Sequence, residues 1–403
     1  MTPNKIKDAI TDIAKGKFVI VTDDCDRENE GDLIIAAEKI TPKSVAFMVN
    51  HTSGLICVPM KGKRLDELKI PLMVSNNTES LRTAFTVSVD CALGTTTGIS
   101  AEDRATTIRA LANPKTLPEH LNRPGHIFPL RYKEGGVLKR AGHTEAAIDL
   151  ISLAGLNPTG VLCELVNKDG TMARKEQLIS FAKEQNLTMI SVADLVRYRL
   201  SSEKLVKKIS TARIPTKYGE FIAHAYESII DGTEHLAFVK GNIKNHENTL
   251  VRVHSECLTG DVFGSKRCDC GSQLDLALEK ILKNGSGVLV YLRGHEGRGI
   301  GLAHKLRAYN LQDKGRDTVQ ANLDLGFPID SREYGIGAQI LKDLGITAIR
   351  LMTNNPEKYG GLEGYNLEIT ERVPLISPSN QENRCYLLTK QEKLGHLLEL
   401  EQT

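Results

Sequence analysis

The chain has 403 residues and a formal net charge of +2, with 40% apolar, 25% charged and 5% aromatic residues and no tryptophan. This length exceeds what one hydrophobic core usually organises, so we expect two domains. No stretch approaches the roughly 20 apolar residues that span a bilayer, and no basic stripe accompanies the few aromatics, so we expect neither a membrane nor a nucleic-acid partner.

The first residues and the cysteines indicate the compartment. The start lacks the apolar segment and the small-residue cleavage site of a secretory signal, so we expect a cytoplasmic protein. The eight cysteines lie too sparsely for a disulfide framework, and in a cytoplasmic chain a tight subset is more typical of metal binding or catalysis.

The first half has mixed periodicity. Helical patterns cover residues 5–14, 42–49, 144–154 and 173–185, and the apolar run 160–166 is typical of a strand. We therefore predict an α+β N-terminal domain.

The boundary and the second half follow from the next segments. Residues 194–208 are charged and predicted helical, and residues 214–219 contain proline and glycine. We place the domains at 1–204 and 205–403. Strand patterns at 250–254, 287–292 and 348–352 alternate with helical faces, which predicts an α/β C-terminal domain.

An acidic stretch, VTDDCDRENEGD at residues 21–32, follows the first predicted strand. It holds six carboxylates, with Arg27 among them. Such a run is often a solvated surface loop, but carboxylates crowded after a strand end also suit Mg²⁺, which prefers oxygen ligands.

Two further motifs could complete a site with this stretch. In KRAGHTEAAIDL a helix is predicted to begin near Thr144, so its free backbone amides and Arg140 could bind an anion. His143, at the start of this helix, either joins that site or merely caps the helix. RPGHIFPL places His126 on a proline-fixed loop. GVLCELVN places Glu164 in an apolar strand, where a buried glutamate is costly unless it is paired or used, so Glu164 is a candidate general base.

Together these motifs resemble the 3,4-dihydroxy-2-butanone 4-phosphate synthase family over residues 6–200, through DRENEGD, TTTGISAEDRA, RPGHIFPLR, RAGHTEAAIDL and GVLCELVN. The resemblance implies conversion of ribulose 5-phosphate into formate and dihydroxybutanone phosphate with Mg²⁺ or Mn²⁺. It implies Glu28 and His143 as metal ligands and His126 and Glu164 as catalytic residues. The implied contacts of the sugar phosphate are Arg27, Glu28, Asp32, Arg140, Ala141, Gly142, His143, Thr144 and Glu164.

The acidic stretch departs from the family pattern at one position. Cys25 stands where this family is expected to have an acidic residue, which weakens the negative field of the loop and leaves an oxidisable thiol.

In the second half, Cys257, Cys268 and Cys270 form the tight cysteine subset. A structural zinc site normally has four protein ligands, whereas a catalytic site has three and leaves a position for water. Three cysteines favour catalysis. A structural zinc completed by a distant residue, His254 among the candidates, and buried thiols without metal remain alternatives.

Three further polar motifs lie in the second half. YLRGHEGRGIGLAHKL has a glycine-rich turn that opens a helix, a geometry suited to phosphate, and DTVQANLDLGFPIDSREYGIGAQIL and LMTNNPEKYGGL add cationic and hydroxyl groups. Taken singly, a glycine turn often only connects two elements, and an Asp-Arg pair is often a surface ion pair.

Residues 213–373 resemble the GTP cyclohydrolase II family, through RVHSEC, the C-x10-C-x-C spacing, EGRGIGL, DTV-x-AN, DSR-x-YGIGAQIL and TNNP-x-K. The resemblance implies opening of the GTP imidazole ring with release of formate and pyrophosphate, using Zn²⁺ and Mg²⁺. It implies Cys257, Cys268 and Cys270 as zinc ligands. The implied GTP contacts are Arg252, Val253, His254, Ser255, Glu256, Gln273, Glu296, Gly297, Arg298, Thr318, Thr353 and Lys358.

The same resemblance implies two catalytic residues, Asp330 as proton acceptor and Arg332 as nucleophile. Guanidinium is almost always charged, so Arg332 could instead hold the phosphate as charge builds during pyrophosphate loss.

The fused order of the two halves is that of a bifunctional enzyme of riboflavin biosynthesis, and the family implies a homodimer. One alternative is that only the GTP cyclohydrolase II half is active and the first half is a dimerisation scaffold. Another is a structural zinc module that binds RNA, for which the sequence offers little aromatic material.

Overall fold

The computed structural model describes residues 3–24, 27–243, 248–327, 334–355 and 367–398, with the side chains of residues 3 and 4 excepted. Cys25, Asp330, Arg332 and Lys358 lie outside the described residues. The chain divides into two compact units, Met1–Ser202 and Glu203–Thr403.

Unit 1 contains a seven-stranded sheet in the order β4-β5-β3-β6-β2-β1-β7. The pairs β3/β5 and β1/β7 are parallel and the others antiparallel, so the sheet is mixed. Its strands are β1 Val19–Thr22, β2 Gly31–Ala36, β3 Cys57–Met60, β4 Val89–Cys91, β5 Leu121–Arg131, β6 Gly160–Glu164 and β7 Thr188–Ser191.

Helices cover both faces of this sheet. They are α1 Pro3–Ala14, α2 Pro42–His51, α3 Gly62–Glu67, α4 Ala101–Ala112, α5 His143–Leu153, α6 Lys175–Glu184 and α7 Val192–Ser202, with 3-10 turns at Ala37–Lys39, Pro118–His120 and Gly136–Leu138. Successive residues of β2 point into different cores: Leu33 and Ile35 join the cluster under α2 and α4, and Ile34 joins the cluster under α1 and α5. The sheet is therefore buried on both faces, which explains why β2 is apolar without alternation.

Unit 2 contains a second seven-stranded mixed sheet, in the order β14-β13-β11-β12-β10-β9-β8. Strands β14, β13, β11 and β12 run parallel, and β12, β10, β9 and β8 run antiparallel. The strands are β8 Val206–Thr216, β9 Gly219–Ser228, β10 Glu234–Lys240, β11 Thr249–Ser255, β12 Gly287–Leu292, β13 Ala348–Met352 and β14 Glu368–Val373.

The helices of unit 2 connect and follow the parallel strands. They are α8 Leu258–Asp261, α9 Cys270–Asn284, α10 Leu302–Gln312, α11 Thr318–Asp324, α12 Gly335–Asp343 and α13 Arg384–Leu394, with a 3-10 turn at Glu296–Gly299. Because parallel strands expose their carboxyl ends at one edge, the loops after β11, β12 and β13 meet there. Throughout the described part of the chain, no helix has the length and apolar character needed to span a bilayer.

The structure corrects two expectations about secondary structure. The charged segment 194–208 is helical only as far as Ser202, and the residues from Val206 onward begin β8, which also takes in Pro215. β8 is the edge of its sheet and is largely exposed, so charged side chains and a proline without an N–H are both tolerated there. His126 lies within the eleven-residue strand β5, not on a loop.

Candidate active sites

The acidic stretch is the loop of a hairpin between β1 and β2, in which Thr22 pairs with Gly31. The buried carboxylate of Asp23 organises this loop. Its Oδ2 accepts the Glu28 backbone N–H at 3.0 Å and an Arg27 N–H at 3.0 Å, and its Oδ1 accepts the Glu30 backbone N–H at 2.9 Å. One carboxylate of the run is thus used to fix the positions of the others.

His143 meets this loop from the first position of α5. Its Nδ1 lies 3.3 Å from Glu28 Oε2 and 3.8 Å from Asp32 Oδ1. Ligand atoms of Asp23, Glu28 and His143 lie within 4.8 Å of one another. Among the described residues, His143 Nε2 and Asp32 Oδ1 are buried without a hydrogen-bond partner, which fits residues arranged to receive a cation and a polar substrate.

Burial and charge shift the proton affinities of this group. Burial raises the pKa of Asp32 to about 7, with the neighbouring Glu164 and Glu28 adding to the rise. Burial alone would lower the pKa of His143, but the carboxylates of Asp32 and Glu28 raise it to about 9. The pocket therefore holds one carboxyl group that can gain or lose a proton near neutral pH.

Two arginines converge on Gly142, the residue that precedes α5. A Cβ added at Gly142 would lie 2.5 Å from Arg140 Nη1 and 3.1 Å from Arg27 Nη2, so a larger residue there would displace the ends of these side chains. Glu145 holds Arg140 at 2.7 Å, and Glu28 holds Arg27 at 2.6 Å. These guanidinium groups and the first amides of α5, including that of the buried Thr144, are hydrogen-bond donors of the kind that bind a phosphate.

Glu164 is half-buried at the last position of β6, directly opposite Asp32 of β2. This corrects the expectation of a buried glutamate, because the strand ends here and opens the side chain to solvent. Its Oε2 accepts a hydrogen bond from Ser53 Oγ at 2.7 Å.

His126 is held by Asp90. The carboxylate accepts the His126 backbone N–H at 2.9 Å and lies 2.7 Å from Nδ1. Within the described part of the chain no hydrogen bond or ion pair joins His126 directly to Glu28, Asp32, His143 or Glu164.

In unit 2, three sulfurs gather where β11 ends. Cys257 follows β11, Cys270 begins α9, and their sulfurs and that of Cys268 lie within 4.8 Å of one another, with Cys257 and Cys268 at 3.7 Å. A tetrahedral zinc with Zn–S bonds of about 2.3 Å holds two sulfurs about 3.8 Å apart, so the three thiols fit a zinc ion.

Glycine 260 and Lys305 shape this cluster. A Cβ at Gly260 would lie 2.9 Å from Cys268 Sγ and 3.1 Å from Cys257 Sγ. The buried Lys305 donates to Cys257 Sγ at 3.1 Å and to Glu296 Oε1 at 2.6 Å. Hydrogen bonds from Cys268 and Cys270 and the charge of Lys305 lower the pKa of Cys257, which favours the thiolate needed for metal binding.

His254, the candidate fourth zinc ligand, faces a carboxylate. Its Nε2 lies 3.1 Å from both oxygens of Asp261, which also accepts the Cys257 backbone N–H at 2.9 Å and the Tyr291 hydroxyl at 2.8 Å. The metal-capable group of described residues contains the three cysteines without His254. An incomplete protein shell is typical of a catalytic zinc.

A cleft of about 120 Å³ adjoins the sulfurs. Its walls include these expected GTP contacts: Arg252, His254, Ser255, Glu256, Gln273, Glu296, Gly297, Arg298, Thr318 and Thr353. Val253 is not among the wall residues, because its side chain lies against Gly337 of α12. Arg298 has φ 66, an uncommon conformation for a residue with a side chain, in the glycine turn after β12.

Sequence reasoning missed several residues around both clusters. They are Asp23, Ser53, Asp90, Asp261, Asp269, Lys305, Tyr386 and Lys390. Asp269 carried a usable signal, because it is the residue between Cys268 and Cys270. Lys390 carried none, since nothing in the sequence links α13 to a site more than a hundred residues earlier.

Two mixed-sheet domains, one with an acid-histidine-arginine cluster and one with a three-cysteine cleft, define a two-site enzyme. The family model described as 3,4-dihydroxy-2-butanone 4-phosphate synthase matches residues 7–198, and that described as GTP cyclohydrolase II matches residues 207–374. The chain belongs to the family of bifunctional riboflavin biosynthesis proteins that join these two domains, as the resemblance of its motifs predicted.

Similar proteins cover nearly the whole chain. The riboflavin biosynthesis protein RibBA of Nocardia farcinica is 59% identical over 97% of this chain and 95% of its own length. The chloroplastic bifunctional riboflavin biosynthesis protein RIBA 1 of Arabidopsis thaliana is 62% identical over 98% of this chain and 73% of its own length. The crystal structure of RibBX, a two-domain 3,4-dihydroxy-2-butanone 4-phosphate synthase from A. baumannii, is 38% identical, with a TM-score of 0.71 over 91% of this chain and 98% of its own.

These findings define the chain as a bifunctional enzyme of riboflavin biosynthesis with a 3,4-dihydroxy-2-butanone 4-phosphate synthase domain and a GTP cyclohydrolase II domain. Nothing in them favours an inactive first half.

Proposed function

We propose that residues 1–204 convert ribulose 5-phosphate into dihydroxybutanone phosphate and formate, and that residues 205–403 convert GTP into a diaminopyrimidine ribosyl phosphate, formate and pyrophosphate. The observation that supports the proposal is that each unit gathers its own cluster of chemical groups among the described residues. Carboxylates, an imidazole and two arginines meet in unit 1, and three thiols meet beside a cleft lined by charged and polar side chains in unit 2, Arg252, Glu296 and Arg298 among them.

In the first site, Glu28 and His143 would hold Mg²⁺ or Mn²⁺, and the position of Asp23 suits a third ligand. When bound, the divalent ion stabilises negative charge that develops on the sugar oxygens. Arg27 and Arg140 bind the phosphate at Gly142, together with the amides at the start of α5. Glu28 also neutralises Arg27, which keeps its guanidinium in position.

Proton transfer in this site is assigned to Glu164, with His126 as the second catalytic residue. Glu164 is open enough to reach substrate, and Ser53 fixes one of its oxygens. Asp32, opposite it, has a pKa of about 7 because of its burial and can share a proton with the substrate hydroxyls. Asp90 fixes the ring of His126, as an orienting carboxylate does for a catalytic imidazole.

In the second site, Cys257, Cys268 and Cys270 would hold zinc. When bound, zinc lowers the pKa of a water molecule and supplies a nucleophile for the guanine ring near neutral pH. Arg252 and Arg298 on the cleft wall bind anionic groups of GTP, with Mg²⁺ as a partner of the phosphates. Glu296 is held by Lys305 and by the Leu258 amide, so its position is fixed before substrate binds.

The proposal for the second site also includes Asp330 and Arg332, on the basis of their positions in the family motif. Asp330 is the proposed proton acceptor. We assign Arg332 to charge stabilisation at the phosphate, because a guanidinium is a poor nucleophile while it is charged. Lys358 is assigned as a further GTP contact.

A homodimer and a cytoplasmic location remain predictions of the family resemblance. Light scattering tests the first: a homodimer has twice the chain mass of 44.3 kDa.

The direct test supplies each substrate separately to the purified chain and follows formate. We expect formate from ribulose 5-phosphate with Mg²⁺ and from GTP with zinc, and about one zinc per chain. Formate from GTP alone would support the scaffold alternative for the first half. Formate from neither substrate would contradict both assignments.

A further inference from the structure

The C-terminal helix α13 reaches into the cleft of the second unit. The match to the GTP cyclohydrolase II family model ends at residue 374, and α13 spans Arg384–Leu394. Even so, Tyr386 and Lys390 of this helix line the same cleft as Arg252 and the three cysteines.

Asn354, in the turn after β13, fastens the C-terminal segment on both sides of this helix. Its buried side chain donates to the Leu375 carbonyl at 2.8 Å and accepts the Leu375 N–H at 2.9 Å. Its backbone carbonyl accepts the Leu397 N–H at 2.8 Å. The segment is therefore tied to a loop that already forms part of the cleft.

Lys390 forms a buried ion pair with the residue between two of the cysteines. Its Nζ donates to Asp269 Oδ1 at 2.6 Å, and the two residues are 8% and 1% exposed. A carboxylate buried to this degree without its cation would be strongly unfavourable, because the protein interior does not replace the water that a free charge would bind.

Hydrogen bonds connect this ion pair to residues in the wall of the cleft. The second oxygen of Asp269 accepts a hydrogen bond from Gln273 Nε2 at 2.6 Å, and Gln273 Oε1 accepts one from Arg252 Nη2 at 2.6 Å. Arg252 also donates to the Met352 carbonyl at 2.9 Å. A buried chain of polar side chains thus connects α13 to the cysteine loop and to two expected GTP contacts.

We propose that Lys390 is a positioning residue of the GTP site, which acts through Asp269 to hold Cys268, Cys270, Gln273 and Arg252 in their binding arrangement. This inference rests on the proposed zinc and GTP site. Lys390 neutralises the carboxylate that the cysteine loop places between two zinc ligands, so that the loop keeps the geometry that zinc requires. It thereby makes α13 part of the GTP site, although this helix lies beyond the matched family region.

The test measures zinc release to a chromogenic chelator and the KM and kcat for GTP in the full chain. Lys390→Met removes the charge and keeps the length of the side chain. Residues that orient metal ligands typically change metal affinity by about 10-fold to 100-fold, so we expect zinc release at least about tenfold faster and a raised KM for GTP. Turnover of ribulose 5-phosphate should not change.

Two further variants make the result specific. Asp269→Asn in the Lys390→Met background removes the unpaired carboxylate, and we expect it to restore much of the zinc retention. Lys283→Met makes the same substitution at an exposed lysine of α9, the helix that begins with Cys270, and should behave as the wild type.

Wild-type zinc release and KM in Lys390→Met would overturn the inference, even with a lowered melting temperature, because the pair would then only dock α13. A wild-type chain without zinc, or a Cys268→Ser variant that still opens GTP, would instead contradict the proposed site itself.

Discussion

Asp32 and Glu164 stand opposite each other across the antiparallel strands β2 and β6. Opposite residues of an antiparallel pair point to the same face of the sheet, and the two carboxyl groups are close enough for Glu164 to raise the pKa of Asp32. Their surroundings differ: Asp32 is 2% exposed, and burial raises its pKa to about 7, whereas Glu164 lies half-exposed at the strand end beside Ser53. Two carboxyl groups in unlike environments are suited to different proton-transfer roles.

Glu164→Gln keeps the shape of the side chain and removes the proposed base. We expect turnover of ribulose 5-phosphate to fall by at least about 100-fold, the usual contribution of a general base, with GTP turnover unchanged. Glu176→Gln, at an exposed position of α6, is the control and should retain both activities. Unaffected sugar turnover in Glu164→Gln would remove the base assignment.

Gly260→Ala tests the packing of the cysteine cluster. The added methyl carbon would lie 2.9 Å from Cys268 Sγ and 3.1 Å from Cys257 Sγ, closer than van der Waals contact. The sulfurs would have to move apart, so we expect loss of bound zinc and of GTP turnover. Gly264→Ala, just beyond the end of α8, adds a methyl in open space at φ 62 and therefore reports backbone strain without a clash with the sulfurs. Wild-type zinc content in Gly260→Ala, measured by atomic absorption, would show that the sulfurs do not need this space.

Arg332→Lys separates the two roles of that arginine. A lysine keeps the positive charge but not the guanidinium, so charge stabilisation predicts a reduced yet measurable pyrophosphate release, lowered by about 10-fold to 100-fold. Pyrophosphate is followed with a coupled phosphatase assay. Complete loss of pyrophosphate release, with GTP binding retained, would favour covalent attack by Arg332.

His235 of β10 predicts a pH dependence of stability. Burial lowers its pKa from 6.5 to about 4, and its Nδ1 accepts the Arg293 backbone N–H at 3.2 Å, which requires the neutral ring. The unfolded chain takes up this proton first as the pH falls, so the stabilisation is complete above pH 6.5 and is lost between pH 6.5 and about 4.

The corresponding measurement is urea unfolding of the wild type and of His235→Gln at several pH values, followed by circular dichroism. The difference in unfolding free energy between the two proteins should shrink by about 2 to 3 kcal/mol on acidification across this range. The subtraction cancels groups common to both proteins. A difference that does not depend on pH would contradict a neutral His235 in the folded state.

The sequence predicted the residues that carry local signals. The acidic run after β1, the Cys-x-Cys pair and the glycine turn before α10 each combine a chemical group with a strand end or helix start, and the structure finds each at such a position. Spacing in the sequence was sufficient to predict these three features, because the residues of each feature are close together in the chain.

Features that depend on sheet position or on distant contacts could not be predicted in this way. The charged segment from Val206 is a strand because it lies at a sheet edge, a fact set by the whole topology. The sequence did not distinguish Asp23 from the other five carboxylates of the acidic run. Only the structure of the hairpin shows that Asp23 accepts hydrogen bonds from the loop amides. The partnership of Asp269 with Lys390 spans 121 residues and has no local pattern.

The central claim is that one chain carries two independent active sites. The most direct test crosses two variants with two substrates and follows formate in all four combinations, with Cys385→Ser, an exposed cysteine, as the control for Cys268→Ser. We predict that Glu164→Gln releases formate from GTP but not from ribulose 5-phosphate, and that Cys268→Ser does the reverse. Loss of both activities in either variant, or of neither, would contradict the assignment of one site to each domain.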